Sequence, residues 1–110
     1  MLLDSNIIIY AAQPEASELR AFIAELSPAV SAISVVEVLG YHRITAEERE
    51  DFEAFFRASL VLPVSEAVVE WAVKLRQQRR MSLGDALVAA TALVNDRTLV
   101  TRNTDDFKWV

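Results

Sequence analysis

The sequence predicts an α/β fold in three layers, with helices on both sides of a short, mainly parallel central sheet. Three observations point there. Brief apolar runs of strand character alternate with longer stretches whose apolar residues recur at helical spacing. The 110 residues include only 2 Gly and 3 Pro, too few for a turn-rich sandwich, and 53% are hydrophobic, enough for a core. The length fits one domain spanning residues 1–110.

Leu2 and Leu3 form a short apolar start, and residues 7–12 read as a helix. Pro14 suits the first turn of a second helix, in which Leu19, Phe22, Ile23 and Leu26 follow at helical spacing. Residues 29–33 read as a strand, and Ser34 then opens a third helix running to about Arg43. Thr45, with Glu48 at the capping-box position, opens a fourth that carries Phe52, Phe55 and Phe56 on one face. Residues 60–64 are the next strand, and Pro63 places it at an edge or near its own end. Ser65 caps a helix bearing Val68, Val69, Ala72, Val73 and Leu75, and Ser82 begins another, residues 83–94, apolar almost all round. Residues 98–101 are the last strand.

Composition removes several function classes. With no cysteine, disulfides, zinc thiolates and thiol nucleophiles are excluded. The start, MLLDSNIIIY, has no basic region and an acid at position 4, unlike a signal peptide. The longest apolar run, residues 86–94, falls far short of the roughly 20 residues of a membrane span. A cytoplasmic protein without membrane association is the expectation. The formal net charge of −5 argues against a duplex-binding module, because phosphate contacts rest on Lys and Arg. It leaves a metal-assisted site open, since bound cations reverse the local sign.

The acids carry the chemistry. Asp4 follows the first strand, Glu37 falls in the first turn of the helix after the second, Asp85 opens the most apolar helix, and Asp105 and Asp106 follow the last strand. On this reading every acid stands just after a strand, and the carboxyl ends of parallel strands form the crevice where such folds bind ligands. Gathered without partners these anions would repel one another, whereas Mg²⁺ or Mn²⁺ prefers such oxygens and supports phosphodiester cleavage. Each acid also has a plainer role. Ser34 to Glu37 and Ser82 to Asp85 both match a capping box. Asp4 suits a turn or a helix cap, and Asp105 with Asp106 a solvated pair.

The segments LLDSN, SAISVVEVLGYHRI, SLGDALVAATALV and LVTRNTDDF resemble, in that order, the motif blocks of PIN-domain ribonucleases, most of all the VapC-type toxins of bacterial toxin–antitoxin pairs. The resemblance covers nearly the whole chain. It implies a PIN-like fold and Mg²⁺- or Mn²⁺-dependent cleavage of RNA, transfer RNA being one candidate. It also implies a cognate antitoxin and a homodimer. Asp4, Glu37 and Asp85 carry over as catalytic, metal-binding acids, with Ser5 and Asn6 as supports beside the first and Thr101, Asn103 and Asp105 as supports in the last block. For the fourth acid, many members place an aspartate where this chain has Asn103, two residues after Thr101. Asp106, beside Phe107, matches the other acid of that block and is the choice here, with Asp105 as its neighbour.

His42 stands five residues after Glu37, well round the helix from it, and is expected at the surface or a helix end. The basic stretch at 74–80 is either a solvated helix C-terminus or, with Arg43 and Arg102, a rim that guides phosphates. The three phenylalanines are expected in the core or at a dimer face rather than as a base-stacking platform. A haloacid-type phosphatase needs a second aspartate at position 6, which is Asn6, and a receiver domain needs a lysine after a late strand, which is missing. The competing reading is a non-catalytic interaction module on the same fold.

Overall fold

The computed structural model describes residues 1–102 together with Phe107, Trp109 and Val110. It opens with strand β1 (Leu2–Leu3) and helix α1 (Ser5–Ala11), then a 3-10 turn (Pro14–Ala16) leading into α2 (Ser17–Glu25). Strand β2 (Ala29–Ser31) runs directly into α3 (Ala32–Leu39), and α4 (Ala46–Ala58) leads to β3 (Leu60–Leu62). Two successive helices, α5 (Glu66–Gln78) and α6 (Leu83–Val94), precede β4 (Leu99–Val100).

Among the described residues, four strands lie in the order β3-β2-β1-β4 and every pairing is parallel. Leu2 stands opposite Ala29 and Leu99, and Leu3 opposite Val30 and Val100. Alternation along each strand therefore sends the two sets to opposite faces. On one face Leu3 and Val30 pack with Ile7, Ile8, Ile23, Val38 and Phe56 from α1 to α4. On the other, Leu2 and Ala29 pack with Val88 and Ala92 of α6. A third cluster joins α5 to α6 through Val68, Leu75, Ala86 and Ala90, with Phe107 against it. The expected three layers are present. Central strands buried on both faces read as continuous apolar runs, which is why Leu2, Leu3, Ala29 and Val30 have no exposed surface.

Helix starts follow their side chains. The Thr45–Glu48 capping box is closed in both directions, at 3.1 and 3.0 Å. Ser65 and Ser82 each accept an N–H from the third residue of their helices. Pro63 follows the last residue of β3, which is an edge strand. Phe52, Phe55 and Phe56 belong to the core, the last two meeting edge-on at 5.5 Å.

The second strand differs from its expected extent. It ends at Ser31, whose hydroxyl caps α3 by accepting the Ile33 N–H at 3.2 Å. The Thr91 hydroxyl, from α6, lies 3.3 Å from the same Ser31 oxygen. Ala32 and Ile33 are thus helical, and Ser34 lies within α3 rather than at its cap. The helix also stops at Leu39, before Arg43.

Candidate functional site

Asp4 is placed by the change from β1 to α1. It is 4% exposed, and its backbone N–H donates to the Val100 carbonyl of β4 at 3.1 Å. Its Oδ1 caps α1 by accepting the Ile7 N–H at 2.8 Å, and its Oδ2 accepts the Thr101 hydroxyl. Two donors thereby compensate for withdrawing a carboxylate from water. Thr101, expected as a supporting residue, fixes the rotation of this side chain from the end of β4.

Glu37 enters from α3. With Ser31 as the cap it falls in the second turn rather than the first, so the capping-box role does not apply to it. Its Oε1 instead accepts the Ser5 hydroxyl at 2.7 Å, and Ser5 lies 2.9 Å from the buried Ser34 hydroxyl. Ser5 is thus the bridge between the Asp4 segment and α3. On its other side the Glu37 carboxylate meets α6. A Cβ built on Gly84 would stand 2.4 Å from Oε2, 3.0 Å from Cδ and 3.3 Å from Oε1.

Asp85 is the residue after Gly84, half-buried, and its N–H donates to the Ser82 hydroxyl at 3.1 Å. No strand directly precedes it, contrary to expectation: α5 intervenes, and Asp85 arrives on the first turn of α6. The contact between Gly84 and Glu37 brings that turn to the carboxyl edge of the sheet, where α1 and α3 also begin. Negative side chains there are favoured by the positive end of the helix dipole.

Asn6 is exposed in the first turn of α1. Asn103, Asp105 and Asp106 lie outside the described residues. His42 is exposed in the turn after α3, its ring 5.2 Å from Tyr41. In the basic stretch, Arg76 donates to the Met81 carbonyl and Arg79 lies over the Trp109 ring. Arg102 stacks on Tyr10 of α1 at 3.7 Å, so a cation stands just past β4.

Sequence reasoning missed two contributors, Ser34 and Gly84. Ser34 was masked by its spacing from Glu37, which imitates a cap. Gly84 left a faint signal, a glycine inside an otherwise strongly helical, alanine-rich run.

Among the described residues, no group of three or more His, Asp or Glu side chains stands close enough to hold one metal ion in the arrangement shown. The donor chemistry nonetheless suits a hard cation. Asp4, Glu37 and Asp85 offer carboxylate oxygens at the same edge, with hydroxyls beside them and neither thiol nor imidazole among them.

The PIN domain family matches residues 1–110. The chain belongs to the PIN domain family. Ribonuclease VapC10 of Mycobacterium tuberculosis is 40% identical over 82 residues, an alignment covering 68% of this PIN domain and 59% of that protein. The chain therefore spans less than two thirds of the length of this relative. A toxin–antitoxin complex from Klebsiella pneumoniae contains a chain similar at 29% identity and a TM-score of 0.76, covering 96% of this chain and 88% of that one. DNA-bound VapBC from Salmonella typhimurium aligns at a TM-score of 0.85 and 19% identity, covering 97% of this chain and 89% of that one, a likeness of fold alone.

Proposed function

We propose that this PIN domain is a metal-dependent endoribonuclease and the toxin of a VapC-type toxin–antitoxin pair. The observation that carries the reading is the place of the Glu37 carboxylate. It lies between Ser5, the neighbour of Asp4, and Gly84, the neighbour of Asp85. The segments that carry three acids, from three separate elements, are joined through this single side chain, and helix capping does not account for its position.

Asp4, Glu37 and Asp85, completed by Asp106, are the proposed ligands of Mg²⁺ or Mn²⁺. When bound, the metal supplies activation of water and charge neutralisation in RNA phosphodiester hydrolysis. The chain supplies position. Thr101 fixes the Asp4 carboxylate and Ser5 holds that of Glu37, while the start of α6 presents Asp85. Asn103 and Asp105 stand beside the fourth acid in sequence. Arg102, braced on Tyr10, is a cation available to an RNA phosphate near this edge.

The toxin role draws on the Klebsiella pneumoniae likeness and on the VapC-type motif blocks. It brings a cognate antitoxin as protein partner, a homodimer and a cytoplasmic setting. No described helix is long and apolar enough to cross a membrane.

The test is cleavage of a mixed RNA pool including transfer RNA, with Mg²⁺ or Mn²⁺ and with EDTA, by the wild type and by Asp4→Asn. Discrete cuts that need the metal and vanish in the variant are expected. Equal patterns from both proteins, or no cutting with metal present, would leave the chain as a partner-binding module on this fold.

A further inference from the structure

We infer that Gly84 is a positioning residue for Glu37: the missing side chain at the start of α6 creates the seat in which the Glu37 carboxylate is held against Ser5. The inference rests on the nuclease reading for its consequence, but its geometry stands without a metal. Residue 84 has no conformational need for glycine, since no glycine of the chain has a positive φ. Its helix, LGDALVAATALV, is rich in strong helix formers, where a glycine is less favourable than alanine. What the position requires is close approach. The three nearest atoms that a Cβ would meet, the backbone of its own helix apart, all belong to the end of one side chain, the carboxylate of Glu37.

This distribution of contacts separates positioning from folding. A methyl group at 84 leaves no room for the carboxylate at 2.4 Å, while the Glu37 side chain can rotate away from it. Gly84→Ala should therefore leave the helix intact and displace the carboxylate, breaking its 2.7 Å hydrogen bond to Ser5. Gly40 provides the contrast. A Cβ there would stand 2.4 Å from the backbone carbonyl of Val36, which has no such freedom.

The experiment compares wild type, Gly84→Ala, Glu37→Asp and the double variant. Three quantities are read: melting temperature in EDTA, Mn²⁺ affinity by calorimetry, and a metal-free crystal structure of Gly84→Ala. Expected are an unchanged or higher melting temperature and a Glu37 carboxylate beyond hydrogen-bond reach of Ser5. Mn²⁺ binding should weaken by about 10-fold or more, the usual scale for losing a residue that orients a ligand. Glu37→Asp, which draws the carboxylate back by one methylene, should cost less affinity in the Gly84→Ala background than in the wild type. A Glu37 that keeps its bond to Ser5 in the variant would overturn the inference. So would wild-type Mn²⁺ affinity in Gly84→Ala, or a variant that fails to fold. If the wild type itself bound no Mn²⁺, the nuclease reading would fall, and the crystal structure alone would still decide whether Gly84 seats Glu37.

Discussion

Asp4 combines two duties that different substitutions separate. As the cap of α1 it satisfies the Ile7 N–H, a role worth about 1 kcal/mol. As a buried carboxylate it receives the Thr101 hydroxyl, and a hydrogen bond to a charged group contributes about 1.5–3 kcal/mol. Asp4→Ala removes both and should cost about 2–4 kcal/mol in urea unfolding with EDTA present. Asp4→Asn keeps an oxygen for Ile7 and an amide toward Thr101, and asparagine caps helices as well as aspartate does. Its cost should stay below about 1 kcal/mol. With Mn²⁺ at a hundredfold excess over its Kd, linkage adds about 2.7 kcal/mol to the wild type. Neither variant should gain more than a small fraction of that. An Asp4→Asn variant as unstable as Asp4→Ala would contradict this division, since the charge itself would then hold α1. Equal stabilisation of Asp4→Asn and the wild type by Mn²⁺ would contradict a metal-binding role for Asp4.

Two further outcomes follow from particular contacts. Gly40→Ala forces a methyl group against the Val36 carbonyl and should destabilise the protein by about 1–3 kcal/mol, read by denaturant midpoint, whereas Gly84→Ala should not. Thr45→Ala opens the closed capping box of α4 and should lower stability by about 1 kcal/mol by the same measurement, with Mn²⁺ affinity unchanged because α4 holds none of the site acids.

Much of this architecture was legible because local signals agreed with the tertiary fold. The capping box of Thr45 and Glu48, the caps at Ser65 and Ser82, and the stop at Pro63 act within one turn of the chain and appear where their residue types put them. The change from β2 to α3 was misplaced because two serines compete for the cap. Ser31 and Ser34 are both followed by two apolar residues, so local pattern favours neither. The long-range contact of Ser31 with Thr91, and pairing with β3 that ends at Ser31, belong to the fold rather than to the segment.

The site divides in the same way. Asp4 and Glu37 could be found as acids near strand ends. Ser5 and Thr101 could be named as supports, but which acid each one holds could not, because the bonds from Ser5 to Glu37 and from Thr101 to Asp4 join residues far apart in sequence. Asp85 reached the expected edge by an unexpected route, on a helix that follows another helix. The role of Gly84 depends on what approaches it and is invisible along the chain.

The proposed nuclease site requires that Asp4, Glu37 and Asp85 serve one ion. Anomalous difference density from crystals grown with Mn²⁺ measures this directly. A peak within coordination distance of these carboxylates, about 2–2.6 Å for oxygen ligands of hard cations, and absent in Asp4→Asn, is the predicted result. No peak at that edge, or a peak held by one acid alone, would contradict it.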